Sequence, residues 1–387
     1  MSTMGRPRRL ARRELIRLLA AAGGSFAVLG RPGGTAWSQE PATERHASLM
    51  TWPGYDRAEF YAPYIERHGA PPNLALFESL EEAQSRLLTG WRGDLLHPCY
   101  ETVAQWRDAG YLQTIDTSRL SHWGGIFPRL RELPGARSGW ETWFVPFDWG
   151  QTSIVYRTDI VRWTDGVESW SLMWDERYAG RIGLVDMAHD AWWSAAIYSG
   201  ISQDSLDAAG RREVRKALER QSAQVKLVGS PRALERAFLD DQIVAALAWS
   251  DSAARLRRQG LPVAFADPVE SALAWCCGLV MHRDAGFVDK AYDLIDGLIS
   301  AETGARVIEA FGFGHANRLA FDQVGDERLA DFGLPARPLA TLDRAVFLDQ
   351  QRPGLAERIE RDWAAVTGRP KPARESRDRA NPDDSGE

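Results

Sequence analysis

What most constrains this chain is a run of short apolar segments alternating with helix-length segments of 3.6-residue period. Residues 47–51 form an apolar strand, 58–67 a helix with Phe60, Tyr64 and Ile65 facing inward, 73–77 a strand, 80–88 a helix, 94–97 a strand and 101–109 a helix. Strand, helix and strand at this spacing make βαβ units, whose sheets are largely parallel. After an apolar segment at 143–147 a second series begins: strands at 153–157 and 182–185, helices at 191–198 and 211–221, a strand at 225–228, a helix at 233–240 and a strand at 244–248. A strand over 272–281 and helices over 287–300 and 303–311 follow. Two α/β series predict two lobes, and 387 residues suffice for two cores of ordinary size. No internal repeat is visible. The segment from Gly368 onward, with its Pro, Arg, Asp and Ser, predicts a disordered tail.

The net charge of -6 hides an asymmetry. The first 38 residues hold seven Arg against one acid, Glu14, so the rest of the chain stands at -12. An acidic body predicts cations or neutral solutes as partners and argues against nucleic acid. The basic N-terminus reads as an export segment: Arg12-Arg13-Glu14-Leu15-Ile16-Arg17 precedes an apolar stretch from Leu18 to Leu29, then small residues and a cleavage point near Ala36-Trp37-Ser38. That stretch is too short to span a bilayer. Its paired arginines resemble a twin-arginine signal, with an ordinary secretory signal or an amphipathic first helix as the other readings. The expectation is an exported, periplasmic protein with no membrane span of its own and a monomeric state.

Signatures of catalysis are mostly missing: there is no G-x-S-x-G, P-loop, H-E-x-x-H, C-x-x-C or G-x-G-x-x-G motif, and the seven His lack ligand spacing. No cofactor and no metal is therefore expected. His97 and Cys99 flank Pro98 at a strand end where a nucleophile can sit, although a packed pair is the plainer reading. Cys276-Cys277 with Cys99 and Met187 offers a soft-metal alternative against ordinary buried thiols; three Cys allow one disulfide at most. More informative are the strand ends, where open parallel sheets bind ligands. They read Thr51-Trp52-Pro53-Gly54-Tyr55, Pro98-Cys99-Tyr100-Glu101, Asp186-Met187-Ala188-His189-Asp190 and Trp249-Ser250-Asp251. Aromatics with carboxylates suit a cation: ring faces attract it and a desolvated acid fixes its position. The competing reading is that Trp, 16 of them here, merely fills core.

At these residues the chain resembles the periplasmic spermidine/putrescine-binding proteins of polyamine ABC transporters, within the extracellular solute-binding proteins. The similarity runs from about Leu49 to Asn317 through Trp52-x-x-Tyr55, Asp94-Leu-Leu-His-Pro98, Gly110 to Asp116 before Ser118-Arg-Leu120, Val145-Pro146 before Trp149-Gly150, Ser169-Trp170-x-x-Met-Trp174, Tyr178-Ala-Gly180, Trp249, Trp275 and Gly312-Phe313. It implies an α/β, two-lobed periplasmic-binding-protein fold of type II, a ligand cleft between lobes joined by crossing strands, and delivery of the solute to a membrane permease with its ATPase. The expected division is a signal over 1–38, one lobe from 39–148 plus 252–302, the other from 149–251 plus 303–367, and a tail over 368–387, with the crossings near 147–153 and 250–252.

Carried over by residue, the resemblance keeps Trp52, Tyr55, Trp249 and Trp275 as ring contacts and Asp190 as an acid for one amine. It loses others: Met187 stands where spermidine-type members have an acid, the family's Trp-x-Asp reads Trp275-Cys276-Cys277, Ser and Tyr become Cys99 and Glu101, a Thr becomes Pro53, and a late Tyr becomes Phe313. Glu101 and Asp251 are the candidate replacements for the lost carboxylates. The candidate site is thus Trp52, Tyr55, Cys99, Glu101, Asp190, Trp249, Asp251, Trp275, Cys277 and Phe313. The expected ligand is a small amine-type solute. A quaternary amine, an amino acid derivative, a sensor partner's ligand, or a soft metal on Cys99, Cys277 and Met187 stand as alternatives, the last including an exported enzyme.

Overall fold

The computed structural model describes residues 46–347 and 354–368. The expected export segment, and the tail beyond Gly368, lie outside the described residues. The parallel strands arise where the apolar alternation placed them: β1 (Ser48–Thr51), β2 (Asn73–Leu76) and β3 (Leu95–Leu96) in the first series, β5 (Ile182–Val185), β6 (Val225–Gly229) and β7 (Ala245–Trp249) in the second. Between the two series run β4 (Val145–Arg157) and β8 (Leu273–His282), giving the order β2-β1-β3-β8-β4-β7-β5-β6. β1 is parallel to β2 and β3, and β5 to β6 and β7; the central contacts β3/β8, β8/β4 and β4/β7 are antiparallel. β4 has 12 of its 13 residues buried, which requires cover on both faces and suits a strand shared by two lobes.

Helices cover the two ends. Around β1–β3 lie α1 (Ala62–His68), α2 (Leu80–Leu88) and α3 (Val103–Asp108); around β5–β7 lie α4 (Ala188–Tyr198), α5 (Ala208–Ser222), α6 (Pro231–Leu239) and α7 (Ser250–Arg258). After β8 follow α8 (Val288–Leu298) and α9 (Ala301–Phe311). Ser79 caps α2 and Ser230 caps α6, their hydroxyls accepting from N–H groups three residues on. The apolar faces form two separate cores. The first gathers Leu49, Met50, Tyr64, Leu96, Phe147, Val280, Ile295 and Val307; the second gathers Ile154, Leu184, Trp192, Leu218, Phe238 and Leu247.

Ala253, Leu256 and Val263 pack in the second core, whereas Val307, Ile308, Leu329 and Leu342 pack in the first. Residues 250–252 begin α7 rather than cross between lobes, and β8 is the second crossing strand. The strand expected at 153–157 is the far half of β4, continuous through Trp149-Gly150. The short helices Leu319–Val324, Asp326–Phe332 and Leu339–Arg344, and the longer Leu355–Thr367, had no forecast. Among the described residues no helix is long and apolar enough to cross a membrane.

Candidate solute-binding site

The turns after β1, β3, β5 and β7 carry the candidate residues, the carboxyl ends at which parallel sheets present ligand sites. After β1 the Tyr55 N–H donates to the Trp52 carbonyl at 3.3 Å, and Gly54 takes a φ of 91° that the tight turn requires. A Cβ on Gly54 would also lie 3.3 Å from the Phe311 ring. Tyr55 begins an aromatic wall: its ring lies 4.7 Å from Phe311, Phe311 stacks on Phe313 at 5.0 Å, and Phe313 meets Trp275 edge-on at 5.2 Å. Trp275 on β8 is in register with Gly150 on β4, and a Cβ at 150 would sit 2.2 Å from the indole. Gly150 is therefore the space in which the Trp275 ring lies.

Asp190 stands in the first turn of α4. Its Oδ2 accepts from the Thr152 hydroxyl at 2.9 Å and from the Trp249 indole N–H at 3.2 Å, and its Oδ1 lies 3.7 Å from His189 Nδ1. Donors placed in this way fix the rotamer of the carboxylate. Asp251, in the first turn of α7, pairs with Arg255 one turn on, and Arg255 also holds Glu235 at 2.6 Å. Burial pushes the Asp251 carboxyl up, Arg255 opposes it, and Oδ1 is sealed with no hydrogen-bond partner.

Glu101 has no side-chain donor of this kind, only its own backbone N–H. It is half-buried on the turn after β3, and its Oε2 is sealed from solvent without a partner. Burial pushes its carboxyl up; His189 pulls against this and Asp190 adds to it. Those two neighbours belong to α4, so the acid on the first core's turn lies in the field of charges on the second core's helix.

Two candidates need correction. Cys99 and Cys277 are joined in a disulfide, so neither is a free thiol for a ligand, a nucleophile or a metal. Met187 is 42% exposed, and Cys276 is buried with its thiol pushed up by that burial. The soft-metal arrangement is thereby removed. Trp52 is held at 4.4 Å against Phe77, with its indole N–H sealed and unpartnered. Sequence reasoning missed Asp148, Thr152 and Phe311. Asp148 is 1% exposed on β4, receives the Tyr55 hydroxyl's hydrogen bond, and lies in register with Cys277. Burial and then Asp148 drive the Tyr55 phenol well above its ordinary value. An acid inside the apolar run Val145 to Gly150 was the available signal.

Comparison with known proteins bears on the family and the fold. The pattern of the bacterial extracellular solute-binding proteins matches residues 82–326. The chain belongs to that family. The putrescine/agmatine-binding protein of Pseudomonas aeruginosa is 25% identical over 316 residues, 78% of this chain and 86% of that one. The putrescine-binding periplasmic protein of Escherichia coli is 23% identical over 343 residues, 84% and 92% of the two chains. A crystal structure of a spermidine/putrescine ABC transporter substrate-binding protein from Streptococcus pneumoniae superposes with a TM-score of 0.73 at 17% identity, covering 84% of this chain and 99% of that one. The fold of this solute-binding protein is therefore the two-lobed type II arrangement expected from the resemblance.

Proposed function

We propose that the protein binds a small cationic amine between its two cores and delivers it, in the periplasm, to an ABC permease driven by its ATPase. The observation that carries this reading is the ring wall of Tyr55, Phe311, Phe313 and Trp275 together with acids at the ends of strands from both cores, Glu101 on the first and Asp190 on the second. An ammonium placed between the two acids relieves their mutual repulsion, while its methylene chain lies on the rings. Trp52, Trp249 and Asp251 complete the proposed lining. Relatives named for putrescine and agmatine support the amine class.

A solute with a single cationic group is a second reading, favoured by the engagement of Asp251 with Arg255. Calorimetric titration with putrescine, agmatine and uncharged 1,4-butanediol tests the proposal. Saturable heat from an amine and none from the diol is the expected result. No binding of either amine, by folded protein, overturns it.

A further inference from the structure

We infer that the Cys99–Cys277 disulfide is a positioning device for Glu101: it holds in place a carboxylate whose Oε2 is sealed without a partner on the turn after β3, and so supplies an acid where position 277 has none. The inference rests on the proposed amine site and deepens it. Cys99 sits at the end of the β3 segment and Cys277 on β8, 178 residues apart in sequence, and they face each other in an antiparallel bridge. The Gly278 N–H donates to the Pro98 carbonyl at 2.9 Å beside it. Glu101 follows two residues later in the single turn Tyr100–Thr102, which the Thr102 hydroxyl ties back to the Cys99 carbonyl at 2.9 Å, over a Tyr100 only 1% exposed. The turn is thus fixed at its start by a covalent bond to the same strand that carries Trp275.

The need for such a bond follows from the charge. A carboxylate with one oxygen sealed without a partner, in the field of a second acid, is pushed toward water by desolvation and by repulsion. A three-residue turn held only by hydrogen bonds yields to that push by swinging outward. The disulfide blocks the swing, so the repulsion stays in the empty protein and is released when a cation enters, which is preorganisation. Asp190 needs no tether because Thr152 and Trp249 already hold it.

The test is a double-mutant cycle on putrescine binding by calorimetry, combining the pair C99S/C277S with E101Q. Removing the disulfide should weaken binding about tenfold when Glu101 is present and less than about twofold in the E101Q background, the signature of coupled groups. Equal losses in both backgrounds would show a merely structural disulfide and overturn the inference. E101D, which keeps the charge and the disulfide but withdraws the carboxylate by one methylene, covers the case in which C99S/C277S does not fold: it should lose about as much affinity as E101Q, and wild-type affinity would overturn the inference. Carboxyl NMR titration of Glu101 in the empty protein separates this inference from the amine reading. The midpoint should lie above that of an ordinary glutamate and fall toward it in C99S/C277S or, where that variant does not fold, in protein treated with dithiothreitol. An unchanged midpoint overturns the positioning role whether or not putrescine binds.

Discussion

The two sides of the proposed site hold their acids by opposite means. On the second core Asp190 is caught between a hydroxyl and an indole, and Asp251 is matched by Arg255. On the first core Glu101 has no side-chain donor and no arginine partner, one carboxyl oxygen is sealed without a hydrogen bond, and its turn is bonded covalently to β8. The difference teaches where the binding free energy is stored. An acid that already has donors changes little when a cation arrives, whereas one kept desolvated and repelled gains the most. The second core therefore shapes the site, and the first core drives occupancy.

The largest expected effects separate rings that fill core from rings that line the site. Trp149 is 1% exposed and donates to the His315 carbonyl at 3.0 Å, so Trp149→Ala should remove ~3–5 kcal/mol of folding stability in urea denaturation. Trp275→Ala and Trp249→Ala, at half-buried positions, should instead weaken amine binding by roughly 1–3 kcal/mol. A stability loss at Trp275 as large as at Trp149, with affinity unchanged, would place that ring in the core and break the aromatic half of the site.

Next comes the pair of acids. Glu101→Gln and Asp190→Asn should each lower amine affinity by about 1–3 kcal/mol, because each removes a charge that faces the ligand. Their effects on the empty protein should differ in sign. Glu101→Gln deletes a costly buried charge and should raise the melting temperature at neutral pH; Asp190→Asn perturbs a satisfied network and should not. Thermal unfolding of the two variants without ligand checks this, and parallel shifts would remove the contrast between the two sides.

How much of this was legible in the sequence depends on whether the signal was local. The βαβ alternation is local, and the strands at 182–185 and the helix at 80–88 fall where periodicity puts them. Residues 145–157 read as two segments because Trp149-Gly150 resembles a turn; the glycine is there for the Trp275 ring, which arrives from 125 residues away. The helix at 250–258 escaped notice because Ser-Asp-Ser and three Arg obscure its short buried stripe of Ala253, Ala254 and Leu256. The role of Trp249 as a donor to Asp190 and the pairing of Cys99 with Cys277 are through-space relations that no spacing encodes. Glu101 and Asp251 were visible as acids at strand ends, but not that one is matched by an arginine and the other is not.

The smallest expected effect is the dependence on pH, which sharpens the same contrast. An ordinary glutamate protonates near about 4.3. Glu101 in the folded, empty protein is shifted upward by burial, so between the ordinary value and the raised one the folded state binds a proton that the unfolded state has already lost. Its contribution to stability is then fully present below the unfolded value and is lost as pH rises through the folded one. Asp251, also shifted upward by burial, acts in the same direction. Amine affinity runs the other way: the cation needs Glu101 ionised, so binding weakens as pH falls through the raised value, above the range where a solvated carboxylate would matter. Glu101→Gln should flatten both curves by the Glu101 part, leaving the stability slope to Asp251 and, with the opposite sign, to carboxyls held below their ordinary range such as Asp159, Asp175 and Asp207. Parallel melting and calorimetric series across the acid range in wild type and variant read both signs at once, and an affinity profile unchanged by Glu101→Gln would move the driving acid to the second core.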